Sequence, residues 1–139
     1  MLLSTPCLAE LSSVLQQKSL ILGRDIDRAI SYWDPGPTRA LALVMPDSTS
    51  EVSEVMRICH KHKQPVVTQG GKTNCVQSAD PRPEEIILST ERLNQIESID
   101  IINGVASVGA GVVLQTLQEA CLAKDMLFPL DLGSRGSCT

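Results

Sequence analysis

Apolar positions along the 139-residue chain change their period several times, and each change marks an element. Leu8, Leu11, Val14, Leu15 and Leu20 recur at helical spacing and predict an amphipathic helix from about residue 7 to residue 22. Gly23 and the cluster Trp33-Asp34-Pro35-Gly36-Pro37 read as a connecting loop. The unbroken apolar run Leu41 to Met45 suits a strand buried on both faces. Ser48-Thr49-Ser50-Glu51 has the pattern of a capping box, in which the serine and glutamate side chains satisfy each other's free backbone N–H groups. The helix it opens places Val52, Val55, Met56 and Cys59 on one face. It closes in His60-Lys61-His62-Lys63, where cations complement the helix dipole. A strand at Val66-Val67 then completes a β-α-β unit and runs into Gly70.

Glu85 to Ser89 reads as a further strand. Ile96 to Ile102 and Val105 to Val108 flank Asn103-Gly104, the signal of a two-residue hairpin. A last helix is predicted from about Val113 to Asp125, with Leu114, Leu117 and Cys121 on its buried side. Residues 126–139 show no periodicity. A β-α-β unit joined to an antiparallel hairpin is an α+β fold. The expected organisation is an amino-terminal helical segment and linker over residues 1–38, then one domain over 39–139, with no second domain visible.

Candidate chemistry concentrates at Pro65-Val66-Val67-Thr68-Gln69-Gly70-Gly71-Lys72-Thr73-Asn74, where an apolar strand ends in two glycines. Such a loop brings backbone N–H groups up to a phosphate. A Walker A loop needs glycine five positions before Gly71, and Val66 stands there. It must also open a helix, which Pro81 and Pro83 disfavour. A plain turn without ligand is the other reading of Gly-Gly. Gly109-Ala110-Gly111 has the start of a dinucleotide fingerprint, but Leu114 replaces its third glycine, so a tight strand-to-helix turn is the better account. His60 and His62 project from nearly opposite sides of a helix and cannot share one metal ion with Cys59. No serine or cysteine sits in a nucleophile motif, and no carboxylate pair suggests acid–base work, so no catalytic constellation is visible.

Composition narrows the class. The net charge is −4 and aromatic residues make up 2%, so the basic, stacking surface of a nucleic-acid binder is absent. Five cysteines without a C-x-x-C pair fit a reducing compartment. Met1-Leu2-Leu3 lacks a basic leader, and no run reaches the roughly 18 apolar residues of a membrane span. A cytoplasmic protein without a transmembrane segment is the resulting expectation.

Two separated pieces form one pattern. The glycine segment followed by Glu85-Ile86-Ile87-Leu88-Ser89-Thr90-Glu91-Arg92-Leu93-Asn94 resembles the first flavin-contacting region of the FAD-linked oxidases with a vanillyl-alcohol-oxidase (PCMH) type FAD domain. Pro129-Leu130-Asp131-Leu132-Gly133-Ser134-Arg135-Gly136-Ser137-Cys138 is similar to that family's second flavin loop. Within the family the resemblance is to the D-2-hydroxyacid dehydrogenases of D-2-hydroxyglutarate, D-lactate and glycolate. It runs from about Ala40 to Thr139, and Pro46 to Val52 also fits the family's entry into its first helix.

The resemblance implies that backbone N–H groups of Gln69, Gly70, Gly71, Lys72, Thr73 and Asn74 hold the FAD pyrophosphate, with the Thr73 hydroxyl added. Asp131, Gly133, Gly136 and Ser137 would lie along the isoalloxazine and the neighbouring phosphate–ribose region. It further implies oxidation of a small D-2-hydroxy acid to the 2-oxo acid, with hydride passing to flavin N5. The family loop reads Gly-Gly-Asn-Thr-Gly, so Lys72 and Asn74 are departures, and Asn74 is expected to make the left-handed turn. Relatives that attach flavin covalently carry histidine where Lys72 stands, which implies non-covalent FAD. Gln77-Ser78 replaces frequent glycines. The family continues beyond the loop at Thr139 with the rest of the FAD domain and a catalytic domain, so a truncated, inactive and self-associating fragment is expected. The alternatives are a non-catalytic diphosphate- or nucleotide-binding chain, a remnant without flavin, or a P-loop NTPase fragment.

Overall fold

The computed structural model describes residues 5–31 and 33–139. The leader reading at Met1-Leu2-Leu3 lies outside the described residues, as does Tyr32. Helix α1 spans Pro6–Val14, and strand β1 follows at Leu20–Leu22. Strand β2 is Ala42–Val44, helix α2 Thr49–Lys61, β3 Val66–Gln69 and β4 Ile86–Ser89. A hairpin of β5, Ile96–Asp100, and β6, Val105–Val108, leads to helix α3, Leu114–Leu122. The architecture is the expected α+β.

The first predicted helix is corrected. Only its first half is α-helical, because α1 ends at Val14, a single 3-10 turn follows at Gln17–Ser19, and Leu20 to Leu22 pair antiparallel with β2 in the register Leu20↔Val44. A helix-spaced leucine and a strand leucine look alike in sequence, and pairing with β2 decides between them. The β-α-β unit is also not a simple one. The sheet order is β1-β2-β4-β3, so β4 lies between the two strands that α2 connects, parallel to both.

β2 and β4 are buried throughout, as their unbroken apolar runs require. Ile86 and Leu88 join Val55, Ile58 and Cys59 of α2 and Leu8 and Leu11 of α1 on one face of the sheet. Ile87 faces the other way, onto Leu43, Ala40 and Ile26. In α2 it is Ile58, not Met56, that is buried, and Met56 is 43% exposed. The apolar stripe is therefore rotated from the predicted one. The capping box is also changed in detail. Ser48 Oγ accepts from Glu51 N at 3.3 Å, but the Glu51 carboxylate reaches back one residue further, to Asp47 N at 3.1 Å.

The hairpin turns through four residues rather than two, since Asp100 pairs with Val105. The Asp100 carboxylate accepts from Ile102 N and Asn103 N, which fills the turn with local hydrogen bonds. Val112, Leu117 and Cys121 form a separate small core under this hairpin with Ile96, Ile99 and Phe128.

Glu10 links α1 to the end of α2. Its carboxylate accepts from Lys61 Nζ at 2.8 Å and bonds His62 Nε2 at 2.7 Å. These partners, Lys61 first, hold its pKa down to about 2. In the unfolded chain Glu10 takes up its proton at higher pH, so between about pH 4.5 and 2 the unfolded state binds more protons and stability falls as pH falls. Thermal midpoints measured across that window are expected to drop less steeply for Glu10→Gln than for the unsubstituted chain. Parallel curves would show that the cluster contributes nothing.

Candidate functional site

β3 delivers Gly70 to the carboxyl edge of the sheet, where open α/β sheets bind ligands. The chain then leaves β4, and none of the five N–H groups from Gly70 to Asn74 donates to an acceptor among the described residues. All five residues are half-buried. Unpaired donors in that setting are costly unless a ligand or water receives them. Three acceptor-capable atoms nearby are in the same condition: Asn74 Oδ1, Asp80 Oδ1 and Thr90 Oγ1 are buried without a hydrogen-bond partner. No helix follows the loop, so the P-loop reading lacks its defining element.

The glycines serve close approach rather than unusual dihedrals. Neither Gly70 nor Gly71 has positive φ. A Cβ on Gly71 would collide with the Ser137 carbonyl, and one on Gly111 with the Thr90 carbonyl. The left-handed residue is Lys72, φ 56°, which corrects the expectation for Asn74, and Gln77 has φ 56° as well. Lys72 and Gln77 thus occupy positions where the resembling family carries asparagine and glycine. Lys72→Asn is expected to stabilise the flavin-free chain by about 1 kcal/mol, since asparagine tolerates left-handed backbone better than lysine. An unchanged or lower thermal midpoint would show that the strain is compensated elsewhere.

A cavity of about 510 Å³ opens in front of the loop, walled by Gly70, Gly71, Lys72, Glu91, Gly111 and Ser137. Burial, with the nearby positive charge of Arg28, pushes the Lys72 ammonium below its usual pKa, and Glu91 acts in the opposite direction. A second cavity of about 490 Å³ is lined by Thr73, Gly133, Gly136 and Ser137 together with Trp33 and Cys75. The structure therefore brings the glycine loop and most of the carboxyl-terminal loop to one place. The carboxyl-terminal loop is also tied to α3: the carbonyls of Cys138 and Arg135 accept from Leu114 N at 2.8 Å and Gln115 N at 3.0 Å. Val113 offers no side-chain cap, so these carbonyls satisfy the start of α3.

Asp131 stands apart, bonded to Arg135 at 3.4 Å beside a cleft on the far side of α3 that includes Gln118 and Leu122. Gln69 is fully buried at the end of β3: its carbonyl accepts from Thr90 N at 3.0 Å, and its side-chain Nε2 donates to Ile30 O and Ala79 O. Glu91 and Asn94, from the segment that resembles the first flavin-contacting region, and Gly111, from the Gly-Ala-Gly turn, also line the first cavity. Val113 and Thr116 join them without a local signal in the sequence. Cys59 is buried against Cys7, and that burial pushes its thiol up to about 12. His62 is held by Glu10, so the Cys59, His60 and His62 trio does not converge.

Unpaired consecutive donors, orphaned buried oxygens and backbone-tight glycines fit a group bearing a diphosphate. Residues 40–139 match the model of the FAD binding domain. The mitochondrial D-2-hydroxyglutarate dehydrogenase of Danio rerio is 41% identical over 96 residues, which are 69% of this chain and 18% of that protein. The chain thus spans less than a fifth of the length of such relatives. In fold it is similar to alkyldihydroxyacetonephosphate synthase, with TM-score 0.82 at 18% identity over 96% of this chain and 27% of that one. It is also similar to p-cresol methylhydroxylase, with TM-score 0.71 at 21% identity over 86% of this chain and 24% of that one. The cytoplasmic expectation is overturned, because the relatives at 40–41% identity are mitochondrial enzymes. Free thiols and the absence of a long apolar helix among the described residues are the same in cytoplasm and mitochondrion, so neither could separate the two. No helix among the described residues is long and apolar enough to cross a membrane. With the family match over residues 40–139, the chain belongs to the FAD-binding domain family, similar in sequence to D-2-hydroxyglutarate dehydrogenases and in fold to p-cresol methylhydroxylase and alkyldihydroxyacetonephosphate synthase.

Proposed function

We propose that this chain is the FAD-binding portion of a flavoenzyme that oxidises a D-2-hydroxy acid to the 2-oxo acid, and that the 139 residues alone bind FAD non-covalently without turnover. The observation that carries the reading is the row of five N–H groups from Gly70 to Asn74 that find no acceptor among the described residues, beside a cavity walled by Gly70, Gly71 and Lys72. In that row the N–H groups and the Thr73 hydroxyl receive the pyrophosphate, and Lys72 adds a positive charge. Ser137, Gly133 and Gly136 line the adjoining space toward the ring system. FAD supplies the two-electron oxidation chemistry when bound. This chain's part is to bind it, orient it and keep water from its phosphates. Non-covalent attachment follows from lysine in the place of the family's flavinylated histidine.

Purified protein is expected to quench the fluorescence of added FAD, to melt at higher temperature in its presence and to release intact FAD on acid precipitation. No D-2-hydroxyglutarate or D-lactate should reduce the bound flavin. Thermal stabilisation by ADP equal to that by FAD would favour a plain diphosphate-binding chain. Absence of both would leave a remnant without flavin. Reduction of the flavin by either acid would overturn the inactivity of the isolated chain. Ile101, Ile102, Leu122 and Leu127 are exposed, and this apolar surface supports the further reading that the isolated chain self-associates. A single monomeric species in sedimentation would refute that part.

A further inference from the structure

Residues 28–30 precede the stretch 40–139 that matches the family model, yet they reach the glycine loop. The Arg28 side chain is only 9% exposed. Its Nη1 donates to Gln69 Oε1 at 3.1 Å, and its Nη2 pairs with Glu91 Oε2 at 2.5 Å. Gln69 is the last residue of β3 and fully buried. Through Nε2 it holds Ile30 O at 3.3 Å and Ala79 O at 2.8 Å. One amide side chain thus ties both ends of the 69–79 segment to residues 28 and 30. Glu91, for its part, walls the same cavity as Gly70, Gly71 and Lys72. A carboxylate there without a cation beside it would repel a diphosphate.

We propose that Arg28 is a positioning residue for the FAD pyrophosphate, setting the glycine loop through Gln69 and neutralising Glu91 at the cavity wall. The inference rests on the FAD reading given above. A planar guanidinium suits the task because two of its nitrogens serve two partners in fixed directions, which a lysine ammonium on a flexible stem does not reproduce. Arg28 touches no reacting atom, so its effect is on affinity and loop order rather than on chemistry.

Two measurements on the full chain separate this role from general stability. FAD affinity is followed by fluorescence quenching, and loop order by the rate of tryptic cleavage after Lys72 in flavin-free protein. Arg28→Ala is expected to weaken FAD binding about tenfold or more and to accelerate the cleavage several-fold. Adding Glu91→Gln to Arg28→Ala should recover part of the affinity while leaving cleavage fast, because it removes the repulsion but not the loss of the brace. A folded Arg28→Ala chain with unchanged affinity and unchanged cleavage overturns the proposal, and a double variant as weak as Arg28→Ala overturns the neutralising role. Should Arg28→Ala fail to fold, Arg28→Lys carries the comparison: faster cleavage is expected, and cleavage and affinity like those of the unsubstituted chain overturn the proposal. If the unsubstituted chain does not bind FAD, the FAD reading fails, and the cleavage rate alone then decides whether Arg28 orders the loop.

Discussion

Gly71→Ala is expected to weaken FAD binding roughly 30- to 150-fold, the equivalent of about 2–3 kcal/mol. The added methyl would lie 2.6 Å from the Ser137 carbonyl carbon and 3.2 Å from Cys138 Cα. Both neighbours are backbone, and no side chain can swing aside to make room. The only relief is to move residues 137–138 away from the glycine loop. That movement also strains the bond from Leu114 N to Cys138 O at 2.8 Å, so the start of α3 loses an acceptor as well. Fluorescence titration with FAD gives the affinity, and far-ultraviolet circular dichroism shows whether the fold persists. An alanine variant that binds FAD as the unsubstituted chain does would mean that the two loops do not meet in solution.

The largest expected loss of stability comes from Ile86→Ala, about 3–5 kcal/mol. Ile86 is fully buried in the middle strand of three parallel ones, opposite Ala42 on one side and Val66 on the other. Its side chain packs into the cluster formed with Val55, Ile58 and Leu11 beneath both helices. Truncation removes apolar burial and leaves a cavity that β-sheet hydrogen bonds prevent from collapsing. Against a total of about 5–15 kcal/mol for an ordinary domain, this loss is a large fraction. Urea unfolding should show a lower midpoint with an unchanged slope. A shift worth less than about 1 kcal/mol would show that the site relaxes freely, contrary to its place between paired strands.

Several features were legible in sequence because they depend on local chemistry. The continuous apolar runs at 41–45 and 85–89 correspond to strands buried along their whole length. Ser48 caps α2, and Leu114, Leu117 and Cys121 form the buried side of α3. The site's main loop was also legible, since paired glycines after a strand are a local signature and the flavin-loop resemblance supplied its partner. The rest depended on contacts between distant residues. Leu20 to Leu22 became a strand because β2 offered an edge. Ile58 replaced Met56 in the core because α1 and the sheet set the rotation of α2. Lys72 took the left-handed backbone although its residue type argues against it.

By itself, then, the sequence determined where backbone donors would be bare, which runs would be buried and which family of cofactor sites the loops resemble. These are properties of consecutive residues, whose spacing and side-chain bulk act within a few ångströms. Only the tertiary structure decided that β4 inserts between β2 and β3, that Ser137 rests on Gly71, and that Arg28 and Gln69 brace the loop from 41 residues apart in sequence. Such pairings are set by the free energy of packing the whole sheet and burying its polar groups with partners, which no local pattern encodes.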